Sequence, residues 1–431
     1  MNVSDSERVA TLLSSEGYEI TSTSEDADIV LLNTCSVREK AEHKLYSRVG
    51  EIRDREDHRP ILGVMGCVAQ LEGDNLITGR RGIDLVVGTR AVGRVAELIQ
   101  RISEGEEELV DLGDRDAEYD WSVSDKQRNS PHVSFVPIIE GCNKFCTYCI
   151  VPFSRGREKS LPASLIISQI RRLSLEGIRE VHLIGQNVNS YRPTSAEGLE
   201  GIRGATPFAK LMRAVAQTGI ERIKFATSFP RDFHPDIVDA IDEHENLCNW
   251  VHLPVQSGSD SVLKAMRRGH SIDSYKKRID RIRDSKREIA LTTDIIVGFP
   301  GETEEDFKQT LDLVEYCRFD SGYIFKYSPR PGTPAFELED DVTPEEKSSR
   351  FQELQKIIRK TQREAFDRQV GKTLKVLAER TSAKSTDVLT GHSTCHRLVN
   401  FPGDTSLLGR VLDVEITESK VNSLFGRVKG I

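Results

Sequence analysis

Three cysteines in the run Gly141-Cys142-Asn143-Lys144-Phe145-Cys146-Thr147-Tyr148-Cys149 constrain this chain more than any other feature. Spaced C-x3-C-x2-C, three thiolates reach three irons of one cubane cluster and leave the fourth iron without a protein ligand. A loop built to hold such a group must be dry, and here an aromatic residue precedes the last cysteine while Ile150, Val151, Pro152 and Phe153 follow it. A cluster with four cysteines is closed and suits electron transfer. An open iron accepts an outside ligand, such as the amino and carboxylate groups of S-adenosylmethionine (SAM). Zinc is the competing reading, but its usual spacing pairs C-x2-C with a second, distant pair that closes a tetrahedron, and no such pair follows this loop.

With 431 residues the chain is long enough for about three domains. The start, Met1-Asn2-Val3-Ser4-Asp5-Ser6-Glu7-Arg8, lacks a basic-then-apolar signal pattern, and no later run approaches the ~20 apolar residues of a membrane span. These features predict a soluble cytoplasmic protein that makes no membrane contact. Eight cysteines, three of them in one ligand loop, fit metal-binding thiols in a reducing compartment rather than a disulfide framework. The formal net charge of −8 argues against nucleic-acid binding by the surface as a whole. From Gly371 onward nine Lys/Arg face six Asp/Glu, so this end carries +3 and the rest −11, and an RNA handle is expected at the C-terminus.

The first hundred residues alternate helical patterns with apolar runs at Ile29–Leu32, Ile61–Met65 and Ile83–Val87, which predicts a small parallel α/β unit. Cys35 and Cys67 each fall just past one of these strands, at the sheet edge where ligands gather in open α/β sheets. Two small buried residues are the alternative reading of this pair. Asn2, Ser4 and Asp5 read as a helix cap with no strand before it. From about Ser103 to Pro131 the chain turns acidic and polar, with Glu104, Glu106, Glu107, Glu108, Asp114, Asp116 and Asp120, and reads as a linker or surface crossing.

Beyond the cysteine loop, strand-like segments recur between helical patterns at Val181–Ile184, Ile223–Ala226, Val251–Val255, Leu291–Val297 and Tyr323–Phe325. With the strand before Glu140 they make six βα units, fewer than a closed eightfold barrel. Polar groups follow these strands at Gly185-Gln186-Asn187, Ser228, Gln256-Ser257-Gly258-Ser259 and Gly298-Phe299-Pro300-Gly301-Glu302. Each by itself is an ordinary turn; on one rim with the cysteine loop they favour a cofactor site. A charged helix from about Pro344 to Gln369 leads to alternating segments at Thr373–Ala378, Ser406–Val411 and Leu412–Ile416, which predict a small β-barrel that either presents a face to RNA or only caps the core.

With these features in place, the chain resembles the radical-SAM methylthiotransferases over essentially its whole length. The resemblance implies an α/β protein in three parts. Residues 1–102 would form the methylthiotransferase domain, apparently without its first strand, and 103–131 a linker. Residues 132–360 would form a partial (β/α)6 radical-SAM barrel and 361–431 a small TRAM-like β-barrel. The segment Gly185-Gln186-Asn187-Val188-Asn189-Ser190-Tyr191 resembles the tRNA branch, which makes 2-methylthio-N6-isopentenyladenosine on the 3′ side of the anticodon. The implied activity is sulfur insertion at C2 of an isopentenylated adenosine, driven by a 5′-deoxyadenosyl radical, together with methyl transfer from a second SAM.

The resemblance further implies two 4Fe-4S clusters, one on Cys142, Cys146 and Cys149 and an auxiliary one on Cys35, Cys67 and a third cysteine. That third ligand sits in a family segment resembling Gly-Cys-Gln-Met-Asn, and would lie two residues upstream of Met1 here, so the second cluster is expected to assemble poorly on this chain. SAM contacts are expected from the Tyr148 backbone, Gly185, Gln186 and Gln256, while Cys248, Cys317 and Cys395 read as structural. The implied partners are an isopentenylated tRNA anticodon stem-loop and an electron donor such as flavodoxin or ferredoxin, and the chain is expected to be a monomer. Two alternatives stand beside this reading: methylthiolation of a ribosomal protein, and a non-catalytic RNA-binding remnant.

Overall fold

Strands β1 (Ile29–Thr34), β2 (Ile61–Gly66), β3 (Leu85–Val87) and β4 (Leu109–Asp111) pair in that order as one parallel sheet. Its two faces feed separate cores because successive side chains on a strand point to opposite sides. Leu62, Val64 and Val86 pack on one side with Leu45, Val49 and Ile52, while Met65, Leu85 and Val87 pack on the other with Val9, Val95, Leu98 and Ile99. Each of these fully buried side chains contributes about 1.5–3 kcal/mol. The fourth strand corrects the expectation for residues 103–131: Leu109, Val110 and Asp111 pair with Leu85, Val86 and Val87, so the acidic stretch begins by extending the sheet. Its later carboxylates, Asp114, Asp116 and Asp120, lie outside the described residues.

The computed structural model describes residues 1–36, 39–55, 58–78, 82–113, 127–383 and 385–430, the side chains of 39–43 excepted. They divide into one unit of Met1–Asn129, Glu140–Asn143 and Cys149–Glu158 and a second of Ser130–Ile139, Lys144–Tyr148 and Lys159–Ile431. In the first unit the opening helix spans Asn2–Ser15, and Asn2, Ser4 and Asp5 lie inside its first turn rather than capping it. Asp5 is spent on an ion pair with Arg155, and the Asn2 carbonyl accepts from Asn33.

In the second unit β5 (Val133–Pro137), β6 (Glu180–Ile184) and β7 (Arg222–Phe225) form one parallel set. A second set comprises β8 (Trp250–His252), β9 (Ala290–Val297) and β10 (Ser321–Lys326), also parallel. Isolated backbone contacts join the two: Ile223 bridges Leu247, and the Ser228 N–H donates to the His252 carbonyl at 3.1 Å. The six expected strands thus form a partial barrel with their C-terminal ends on one rim. The helix Pro344–Asp367 begins with a capping box in which Thr343 and Glu346 satisfy each other's backbone N–H groups. It runs through residue 360 without a break.

The C-terminal strands β11 (Thr373–Ser382), β12 (Ser385–Ser393), β13 (Leu398–Pro402), β14 (Val411–Ser419) and β15 (Leu424–Val428) close a barrel in the order β11-β12-β13-β15-β14. Val376, Leu389, Val399, Phe401, Val414 and Leu424 fill it. The segment Ser406–Val411, read from sequence as a strand, is instead a 3-10 turn at Thr405–Leu407 and a loop, with strand structure starting only at Val411. Its apolar pair serves as a plug, since Leu407 and Leu408 pack into the barrel core from the turn.

Candidate functional site

The rim formed by the C-terminal ends of β5 to β9 carries the polar groups singled out in the sequence. Beyond β6, Gly185 approaches the segment that leads to the cysteine loop so closely that an added Cβ would lie 2.6 Å from the Ile139 carbonyl oxygen. Beyond β7 and β8, Thr227 (φ +68°) and Gln256 (φ +78°) sit in the left-handed region that non-glycine residues avoid, and Phe145 in the cysteine loop does the same at φ +48°. Such strain concentrates where a fold over-determines a functional surface. The Gln186 Oε1, Ser228 Oγ and Gln256 Oε1 atoms are buried without hydrogen-bond partners. Orphaned acceptors cost about 1–3 kcal/mol each, so three on one rim fit a site built to hold a polar ligand.

The middle of the cysteine loop, Lys144–Tyr148, belongs to the second unit and is fastened there through Thr147. The Thr147 N–H donates to the Met266 carbonyl at 3.2 Å, its carbonyl accepts from Ala335 at 2.8 Å, and its hydroxyl donates to the Ala265 carbonyl at 2.9 Å. The Tyr148 ring packs on Val262, Met266, Phe299, Tyr327 and Ala335. Lys144 pairs with Asp232 at 2.6 Å, and Asp232 also accepts from Ser190 at 2.8 Å. Burial alone would raise the Asp232 carboxyl; the bonds from Lys144, Arg231 and Ser190 outweigh it and bring the pKa down to about 2. Arg268 reaches the Cys146 sulfur at 3.5 Å, the Tyr148 hydroxyl at 3.4 Å and the Pro254 carbonyl at 2.7 Å.

The two flanks of the loop belong to the first unit. Gly141 holds φ +74°, and a Cβ there would lie 2.2 Å from the Arg157 carbonyl oxygen, while the Cys142 N–H donates to the Gly156 carbonyl at 3.1 Å. Arg155 pairs with Asp5 at 2.5 Å and with Glu140 at 3.3 Å, and both members of the Asp5 pair are essentially sealed from solvent. In the same unit, Thr34 and Gly66 are register partners of β1 and β2, so Cys35 and Cys67 each follow by one residue, just past the ends of adjacent strands. Gly66 (φ +94°) permits the close approach, since a Cβ would lie 2.4 Å from the Asn33 Oδ1. The Met1 nitrogen lies within electrostatic reach of Asp5, Arg155, Cys67 and Cys35.

Cys142, Cys146 and Cys67 are buried, and Cys149 and Cys35 are half-buried. Among the described residues no three Cys, His, Asp or Glu side chains converge on a single metal ion, the arrangement a tetrahedral zinc site requires. A cubane makes a different demand, because each thiolate takes its own iron. Cys248 and Cys317 are buried thiols whose pKa values burial pushes up to about 11 and about 12. Cys395 is buried against Ser393 and Arg397.

Several rim residues turn out to be fasteners. Asn189 both donates to the Phe229 carbonyl and accepts from its N–H, each at 2.8 Å, and the Tyr191 hydroxyl donates to the Leu161 carbonyl at 2.7 Å. Sequence reasoning missed Lys144 with Asp232, Arg268, and Arg155 with Asp5. None has a spacing signature, because each partner lies 88 residues or more away in the chain.

Comparison with known proteins matches the Radical SAM superfamily over residues 136–314, the uncharacterized protein family UPF0004 over 1–88 and the TRAM domain over 367–429. Over 430 residues the chain is 42% identical to the tRNA-2-methylthio-N(6)-dimethylallyladenosine synthase of Yersinia pseudotuberculosis serotype O:3 (strain YPIII), covering 99% of this chain and 90% of that protein. The chain belongs to this synthase family. The family's member from Jannaschia sp. (strain CCS1) is 43% identical over 438 residues, covering 99% of this chain and 92% of its own. The resemblance drawn from the cysteine loop, the sheet edge and the C-terminal barrel is therefore borne out.

Among solved structures, the radical S-adenosylmethionine methyltransferase TsrM from Kitasatospora setae, with cobalamin and a [4Fe-4S] cluster bound, superposes with a TM-score of 0.55. It shares 16% identity and covers 77% of this chain and 73% of its own, so it speaks for the fold alone. Among the described residues no helix is long and apolar enough to cross a membrane.

Proposed function

We propose that this chain adds a methylthio group to C2 of N6-isopentenyladenosine next to the anticodon of tRNA. The carrying observation is the 42% identity to a named tRNA methylthiotransferase across 99% of this chain. Cys142, Cys146 and Cys149 hold a 4Fe-4S cluster, and Cys35 and Cys67 supply two ligands of an auxiliary one. Cluster and SAM, when bound, supply a reductively generated 5′-deoxyadenosyl radical.

This chain's own residues would then bind and orient. Gln186 and Gln256 would each offer SAM a buried acceptor that protein groups leave unpaired, as would Ser228 on the same rim. Gly185 lets the end of β6 close against Ile139, and the Tyr148 backbone presents the adenine side. Arg268 sets a positive charge beside the Cys146 sulfur, and Lys144 with Asp232 ties the loop to the rim. The C-terminal barrel, with its +3 excess, offers a face to the tRNA. A flavodoxin or ferredoxin would deliver electrons to a monomer.

The test is anaerobic reconstitution of the full chain, counting iron and sulfide, followed by incubation with SAM, a reductant and an isopentenylated anticodon stem-loop. The expected result is 5′-deoxyadenosine together with the methylthiolated nucleoside by mass spectrometry. Modification of a ribosomal protein instead, or SAM left uncleaved, would overturn the reading. About four irons per chain means one cubane, and about eight means that Cys35 and Cys67 also hold one.

A further inference from the structure

On the flank of the rim a cavity of about 540 Å³ opens between the loop after β6, the loop after β7 and the helix Ile272–Arg283. Its size suits a nucleotide-sized group. Arg192, Arg231, Lys277, Arg278 and Arg281 line it, against Asp232 as the single carboxylate. Asp232 is already engaged by Lys144 and Arg231. Arg281 has a partner in Asp239, but Arg192, Lys277 and Arg278 have no ion pair among the described residues.

Arg278 is the informative member. Its two terminal nitrogens donate to the Ser274 and Arg231 carbonyls, and its Nε is buried without a partner. A guanidinium drawn partly out of water, with Asp232 within electrostatic reach but no carboxylate in ion-pair contact among the described residues, is costly, and an incoming anion would offset that cost. The N-terminal ends of the helices Pro207–Ala216 and Pro235–Glu243 also line the cavity, although Asp236 occupies the Ala205 and Thr206 N–H groups at the first of them. The buried Phe233 and Tyr191 add an apolar floor.

We propose that this cavity takes the phosphodiester backbone of the RNA substrate, one nucleotide seated on the floor and neighbouring phosphates along the cations. The proposal rests on the tRNA reading above. Arg281 stands four residues after Lys277 and three after Arg278, so it shares a helix face with each and the positive charge forms a stripe, which fits a run of phosphates better than a single small anion. Asn189 and Asp232 line the cavity and bond to Phe229 and Lys144, so RNA held there lies beside the rim that would carry the chemistry.

The test compares the full chain with the Arg192→Glu/Lys277→Glu variant, both exposed positions, in binding of an isopentenylated anticodon stem-loop across a salt series. Each lost phosphate contact flattens the dependence of log affinity on log salt by about 0.7–0.9. The expected result is roughly tenfold weaker binding at low salt with a slope shallower by about 1.5. Equal affinity and slope in the two proteins would overturn the proposal. So would stabilisation of the parent by pyrophosphate that the variant loses while its RNA binding stays intact, since the site would then serve a free anion.

Lys277→Gln alone, expected to lose about half the slope change, keeps the test decisive should the double reversal fail to fold. Methylthiolation by the parent chain is scored separately. A parent that methylthiolates, beside a variant that binds normally, sinks this inference and leaves the function standing.

Discussion

Arg268 touches Cys146 and Pro254 at once, with one terminal nitrogen 3.5 Å from the sulfur and the other 2.7 Å from the carbonyl oxygen. The guanidinium also lies over the Phe229 ring, 4.3 Å from its centroid. A cation fixed beside a cluster thiolate favours the reduced cluster, because reduction adds negative charge. With a 4Fe-4S cluster on Cys142, Cys146 and Cys149, as proposed above, Arg268→Met is expected to shift its midpoint potential to more negative values, with Arg268→Lys in between. Redox titration followed by electron paramagnetic resonance reads this without any turnover; an unchanged potential would show that Arg268 only packs.

Arg155 and Asp5, whose side chains are 2% and 3% exposed, form a buried ion pair at 2.5 Å. Removing one partner of such a pair strands a charge in a medium that cannot solvate it, at a cost of about 3–5 kcal/mol. Asp5→Asn should lose about 3 kcal/mol, near the lower end of that range, because Glu140 remains 3.3 Å from the same guanidinium. Urea denaturation of the full chain measures it, and a loss below about 1 kcal/mol would mean that the pair is solvated.

His396 lies in the second unit between His392, His182 and Trp250. Burial, then the nearby Lys224 and the other two histidines, holds its pKa down to about 2 against an ordinary 6.5. The unfolded chain takes up a proton below pH 6.5 that the folded chain refuses until about pH 2, so unfolding gains protons across that window. Stability is present in full above pH 6.5 and declines as pH falls, by at most about 1.4 kcal/mol per pH unit from this group. Denaturation midpoints of the parent and of His396→Phe, measured from pH 7.5 to 4.5, should fall more steeply in the parent.

Gln256 combines a strained backbone with an unpaired buried oxygen. Glycine adopts φ +78° without a steric penalty, so Gln256→Gly should leave thermal stability within about 1 kcal/mol of the parent while weakening SAM binding. Calorimetric melting and SAM titration separate the two effects. Intact SAM affinity in a stable variant would remove Gln256 from the proposed contacts.

Much of the fold could be read from periodicity. The apolar run Ile61–Met65 lies in a strand because parallel strands are buried on both faces and favour continuous apolar sequence, and the β-branched Thr292, Thr293, Ile295, Ile296 and Val297 suit the pleat of β9. Reading failed where local pattern and tertiary role part company. Leu109–Asp111 sits among carboxylates yet pairs with β3, and Leu407-Leu408 looks like a strand yet works as a plug from a turn. Asp5 looks like a helix cap, but a buried arginine claims it.

Local sequence determined the cysteine loop, the βα alternation and the capped helix at Pro344, since thiol spacing, side-chain period and capping chemistry all act within a few residues. It also placed Cys35 and Cys67 at strand ends. Tertiary structure alone decided that Thr34 and Gly66 are register partners, that Arg268 reaches Cys146 and Lys144 reaches Asp232, and that five cations line one cavity. The reason is separation along the chain. These groups meet only after the sheets have paired, and electrostatics between residues 88 or 122 positions apart leaves no periodic trace in the sequence.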